Sequence, residues 1–207
     1  MMKSLFMVPR PPSEFESKAR NAPAIEAAFQ SAPADMVAEI LAGELYLAPR
    51  PARPHANVES NLGGLLIAPF KFGSGGPGGW VLLYEPELHL GPGPDKVVPD
   101  LAGWRRERLP DAVGGADAPA HDDLAPDWVC EVLSPSTRRV DEGEKMRIYA
   151  REGVQHLWHV DPLARTLEHF RLAEGHWRLV SSFSGEGHIR VEPFDALEFP
   201  LSLLWSR

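Results

Sequence analysis

The sequence predicts a mixed α/β (α+β) fold: a central mixed sheet flanked by helices, with an antiparallel carboxyl-terminal meander. Its apolar patterns run in the order helix, several strands, helix, strand and alternating strands, which suits one sheet covered by helices. The 18 Gly and 21 Pro among 207 residues exceed the roughly 12% combined share of an average chain, which argues against an all-helical bundle. With 43% hydrophobic and 24% charged residues, the chain can bury a sizeable core and is not globally disordered.

Residues 1–35 read as an amino-terminal extension carrying a helix near 16–30, where alanines favour helix and Pro23 opposes it. Residues 36–207 read as the domain proper. Segments 36–41 and 44–48, separated by Ala42 and Gly43, predict a hairpin. From His55, apolar Val58, Leu62, Leu65 and Leu66 recur at helical spacing and predict a helix of about fourteen residues. The glycine-rich loop 73–79 lacks a Gly-Lys-Ser/Thr ending and leads into an apolar strand at 80–84, so it is not a phosphate loop.

Strands are expected at 87–90, 97–104 and 128–133, a helix at 140–152, and a strand at 156–160. The tail alternates at 166–172, 177–183 and 188–191, with turns at Glu174-Gly175 and Gly185-Glu186-Gly187, as an antiparallel meander does.

Cys130 is the single cysteine, so neither an internal disulfide nor a cysteine-based zinc site can form. The apolar stretch 4–8 is too short for a signal peptide, and no run approaches a membrane span, so a cytoplasmic protein without membrane partners is expected. A net charge of −8 opposes phosphate backbones in general. Basic residues nevertheless cluster at Arg105, Arg106 and Arg108 and again at Arg138, Arg139, Lys145, Arg147 and Arg151.

Chemistry concentrates where carboxylates interrupt apolar strands. Asp100 lies within 97–104; ionised and buried there, it needs a hydrogen-bond cage or a cation, unless Pro99 marks an edge and Asp100 faces water. Glu131 lies near the carboxyl end of the apolar strand 128–133. Two such acids on neighbouring strands supply the oxygen ligands a hard divalent cation requires. On the next helix Asp141, Lys145 and Tyr149 recur at four-residue steps and share a face. This spacing also suits a surface ion pair, but a helix leaving the Glu131 strand could return a lysine over the metal, where it would orient or deprotonate a water and counter phosphate charge.

Pro99-Asp100, the run Glu131-Val-Leu-Ser-Pro-Ser-Thr137, Asp141 with Lys145 and Tyr149, and Gly153-Val-Gln-His-Leu-Trp-His-Val-Asp-Pro162 together resemble the Uma-two family of restriction endonucleases. The segment Glu39-Ile-Leu-Ala-Gly-Glu44 and Pro54-His55 fit as well, so the resemblance spans about residues 36–162 and continues more loosely to Trp205. It implies the PD-(D/E)XK nuclease fold, a restriction-endonuclease-like sheet in which metal-assisted hydrolysis cleaves DNA. By this resemblance Asp100 and Glu131 bind Mg²⁺ or Mn²⁺, and Val132 offers its backbone carbonyl. The superfamily lysine stands two residues after the second acid, where this chain has Leu133; the resemblance assigns its role to Lys145 on the helix. Double-strand cleavage would imply a homodimer.

Secondary candidates are Glu44, His55, Glu59 and Tyr149, of which His55 and Glu59 are helical neighbours. Glu85, Glu87 and His89 alternate as a solvated face would, Asp161 suits a strand-ending turn, and Ser134 and Ser136 suit helix capping. Two other classes remain open: a nuclease-fold scaffold that binds nucleic acid or protein without cutting, and a zinc enzyme using His89, His156 or His159.

Overall fold

The computed structural model describes residues 14–93, 95–109 and 120–206, of which 14–21 by backbone alone; the apolar stretch 4–8 lies outside them. Helix α1 (Glu14–Gln30) precedes strands β1 (Met36–Leu41) and β2 (Glu44–Pro49), joined by a two-residue turn. Ala42 and Gly43 take φ of 51° and 77° there, the left-handed pair that a tight hairpin needs. The Ala42 N–H donates to the Asp95 carboxylate at 2.6 Å, which holds a non-glycine residue in that conformation. Helix α2 (Arg53–Leu66) starts with Pro54 in its first turn, where a missing N–H costs nothing, and runs on into a π-helical turn, Ile67–Lys71.

Strands β3 (Trp80–Tyr84), β4 (Leu88–Leu90), β5 (Asp95–Val97) and β6 (Leu101–Arg105) follow. The expected single strand over 97–104 is thus two strands. Pro99 has no N–H for a ladder, and the chain uses the break to pass from one sheet to another. Strand β7 (Trp128–Val132) leads into a helical run made of α3 (Arg138–Val140), a π turn (Asp141–Lys145) and α4 (Met146–Arg151), then into β8 (His156–Asp161). Strands β9 (Thr166–Ala173) and β10 (His176–Ser184) complete the meander. Strand β11 (His188–Ile189) does not join it as expected; it pairs with β12 (Phe199–Pro200) in a separate ribbon.

The sheets have orders β2-β1-β5-β4 and β10-β9-β8-β7-β6-β3. Within the larger sheet β7 and β8 pair in parallel and the other neighbours antiparallel, so the sheet is mixed. The parallel pair requires a crossover, which the helical run at 138–151 provides.

Each face of the larger sheet has its own core. Strand alternation sends Trp128, Cys130 and Val132 to one face, where they meet Val58, Leu62 and Leu66 of α2 together with Trp80, Trp158 and Phe194. Val129 points to the other face, with Trp104, Leu157, Ile148 and Tyr149. Glu131 has the same parity as Val129 and therefore faces the crossover helix. Gly103 keeps β6 close beneath the tryptophans: a Cβ there would meet Leu82 at 2.8 Å and the Trp128 ring at 3.1 Å. Each fully buried large side chain contributes about 1.5–3 kcal/mol, so these two layers hold the strands that carry the acids in fixed register.

Candidate active site

Asp100 sits at the crossing between the two sheets, immediately before β6, and not inside a strand. One of its carboxylate oxygens accepts the backbone N–H of Val132 at 2.6 Å; the other lies 2.9 Å from His55 Nε2. The hydrogen-bond cage expected for a buried acid is therefore present, built by β7 and α2. Burial by itself would lower the His55 pKa; the hydrogen bond and charge of Asp100, with Glu59 beyond, outweigh it and raise the value.

Glu131 is fully buried between β7 and the crossover helix. The Tyr149 hydroxyl donates to its Oε1 at 2.6 Å and the Lys145 ammonium to its Oε2 at 3.2 Å. Lys145 also lies 3.1 Å from Glu39 and 3.5 Å from Asp141, and donates to the Val98 carbonyl at 3.0 Å. Glu39 in turn accepts the Val98 N–H at 2.8 Å, so β1 is tied to the Pro99–Asp100 crossing from both sides.

One ammonium thus faces three buried carboxylates, with Asp100 adding a fourth negative charge nearby. The Glu131 pKa is pushed well up, first by burial and then by Asp141 and Asp100, against the attraction of Lys145. Burial likewise raises Glu39 and Asp141. Desolvation opposes the charge on Lys145, but Glu131, Glu39, Asp141 and Asp100 together hold it well above the usual lysine value, so it stays protonated. These groups line a cleft of about 250 Å³ whose walls include Glu39, His55, Asp100, Glu131, Ser134, Asp141 and Lys145. The donor set fits a hard divalent cation: it consists of carboxylate oxygens, in excess over the local positive charge.

The structure brings Asp100, Glu131, Lys145, His55 and Tyr149 together, and Val132 adjoins them through its N–H. Glu59 lies one turn beyond His55, half-buried, with its pKa pushed up to about 7 by burial and by the charges of Asp100 and Glu85. Glu44 is exposed at the hairpin end, opposite Leu41, and is not among the residues lining the cleft. Glu39, five residues earlier, occupies the position beside Lys145. Its signal was an acid in an otherwise apolar strand, the same signal that marked Asp100 and Glu131.

Asp141 and Lys145 are not a surface pair, since both are buried. Ser134 accepts the N–H of Thr137 at 3.2 Å, as expected of a residue at a helix start. Asp161 accepts the N–H groups of Leu163 and Ala164 and pairs with Arg138, as expected of a strand-ending turn. The zinc alternative offered His89, His156 or His159, and the three stand in separate places. His89 meets Glu87 and His121, His156 meets His169 and Glu192, and His159 is buried against Phe170.

The Uma2 family, described as "Putative restriction endonuclease", matches residues 25–203. Among solved structures, the chain is similar to one described as a "putative nuclease belonging to DUF820" from Anabaena variabilis, with a TM-score of 0.70 and 19% sequence identity; the similarity covers 87% of this chain and 96% of that one. At that identity the likeness speaks for the fold. No curated protein matches the chain. No described helix is long and apolar enough to cross a membrane.

Proposed function

Because the chain belongs to the Uma2 family of restriction-endonuclease-like proteins, we propose that it hydrolyses DNA phosphodiester bonds with a divalent cation, Mg²⁺ or Mn²⁺, held by Asp100 and Glu131. The observation that carries this reading is the convergence of Asp100 from the sheet crossing and Glu131 from β7 on one cleft beside Lys145. The backbone carbonyl of Val132 would be a third ligand.

When bound, the cation would supply Lewis acidity toward a phosphate oxygen and lower the pKa of a neighbouring water. The protein's own groups do the rest. Val132 N–H and His55 fix the orientation of the Asp100 carboxylate, and Tyr149 fixes that of Glu131. Lys145, kept protonated by its carboxylates, orients water and counters charge on the phosphoryl oxygens; it does not serve as the base.

The test is cleavage of supercoiled plasmid with Mg²⁺ or Mn²⁺ by wild type, Asp100→Asn and Glu131→Gln, with circular dichroism to confirm folding. Metal-dependent cutting by wild type, reduced at least about 100-fold in each variant, is the expected result. Equal cutting by the variants would refute the site. Binding of DNA by wild type without cutting would establish the scaffold reading instead. Direct linearisation would indicate paired sites, as in a homodimer, whereas nicked circles would indicate one site acting alone.

A further inference from the structure

A second polar cluster lies at the other end of the parallel strand pair. Strand β8 begins at His156, opposite Trp128, whereas Glu131 and Val132 stand opposite His159 and Val160. His156 and His169 bring Nδ1 and Nε2 to 3.1 Å from each other, and the carboxylate of Glu192 lies within 4.8 Å of both. His169 is buried, His156 is half-buried and Glu192 is exposed.

We propose that His156, His169 and Glu192 form a zinc site, separate from the cleft of Asp100 and Glu131, that fastens the segment around Glu192 to strands β8 and β9. Two imidazoles and one carboxylate are a donor set suited to Zn²⁺, unlike the oxygen ligands proposed for the cleft. At Zn–N distances of about 2.0–2.1 Å, two nitrogens 3.1 Å apart subtend an angle of about 100° at the ion, close to tetrahedral, once each ring, now aimed at the other along the hydrogen bond, turns by about 40° toward it. Binding an ion there would replace the hydrogen bond between the two rings, which needs one donor nitrogen and one acceptor nitrogen.

Arg171 contacts Glu192 at 3.4 Å with both side chains exposed, an interaction weak enough for a metal to displace. The Glu192 carbonyl already accepts the Trp158 indole N–H at 2.8 Å, so its segment is positioned against the sheet before any metal arrives.

The other histidine cluster, Glu87 with His89 and His121, lacks this geometry. Its imidazole rings overlap face to face, with centroids 3.7 Å apart and planes within 10°, whereas those of His156 and His169 stand 5.3 Å apart and meet at their edges through Nδ1 and Nε2.

The experiment is calorimetric titration of the full chain with ZnCl₂ alone, repeated on His156→Ala, on Glu192→Ala and on a His89→Ala/Glu131→Gln double variant. Wild type and the double variant should bind one zinc with similar affinity. His156→Ala and Glu192→Ala should weaken that binding at least tenfold, and zinc should raise the melting temperature of wild type but not of Glu192→Ala. Glu192 is exposed, so its variant keeps the test valid even if His156→Ala folds poorly. Absence of saturable zinc binding in wild type, or equal affinity in Glu192→Ala, would overturn the proposal. Neither result depends on nuclease activity.

Discussion

The Lys145 ammonium lies 3.2 Å from the Glu131 carboxylate across the interface between the crossover helix and β7, with both side chains almost wholly removed from water. The same ammonium reaches Glu39 at 3.1 Å. A lysine in this position holds together the strand that carries one acid, the hairpin that supports the crossing and the helix that covers both. Its stabilising role and its proposed catalytic role therefore have to be separated by measurement.

Lys145→Met should abolish metal-dependent plasmid cleavage and, without divalent cation, cost about 3–5 kcal/mol, because it leaves buried carboxylates without their counter-charge. Urea unfolding checks the second part. Added Mg²⁺ should recover part of the lost stability but none of the cleavage.

As pH rises from the ordinary carboxylate range through the raised folded values, the metal-free protein should lose stability. Glu131, Glu39, Asp141 and Glu59 have raised pKa values and keep protons in the folded state that the unfolded chain has already released. Their stabilisation is complete below the ordinary carboxylate value and is lost as pH climbs through the folded value, by up to about 1.4 kcal/mol per pH unit per retained proton. Unfolding free energies at pH 6.5, 7.5 and 8.5 check this. Glu131→Gln should make the slope shallower, and Mg²⁺ should do so in wild type only.

Acid should act through a different group. His159 is buried, with no hydrogen-bond partner for Nε2 among the described residues, and burial, then Arg138 and Lys145, lower its pKa to about 4 from 6.5. A base with a depressed pKa contributes stability that is complete above the unfolded value and is lost as pH falls toward the folded one. The loss for His159 should approach about 3 kcal/mol between pH 6.5 and 4. His159→Leu should remove that part of the acid sensitivity in thermal unfolding at pH 7 and pH 4.5 while leaving cleavage at pH 8 within about twofold of wild type.

Tyr149→Phe deletes one 2.6 Å hydrogen bond to Glu131 and little volume. Leaving Glu131 Oε1 without its donor should cost about 1–3 kcal/mol in denaturant unfolding. Cleavage should fall about tenfold and persist, since the acid and its lysine both remain.

Much of this arrangement was legible in the chain itself. Alternation through 128–133 places Glu131 on the face opposite Cys130, and the four-residue spacing of Asp141, Lys145 and Tyr149 puts them on one face of the helix that follows; the parallel pairing of β7 and β8 in the structure makes that helix a crossover. The two-residue turn at Ala42-Gly43, strand β3 and the fourteen-residue span of α2 were equally readable, since each depends on neighbours along the chain.

Periodicity states which face a residue takes and is silent on which strand lies beside it. The sequence by itself therefore determined the mixed sheet, the acid that interrupts the apolar strand 128–132 and the shared helix face of Asp141, Lys145 and Tyr149. Only the tertiary structure decided that Pro99 ends one sheet and Asp100 opens the next, that Glu39 and not Glu44 approaches Lys145, and that His156 meets His169 and Glu192 rather than His159. Those outcomes rest on long-range strand pairing and on the burial of two hydrophobic layers, whose free energy belongs to the assembled fold and not to any local segment.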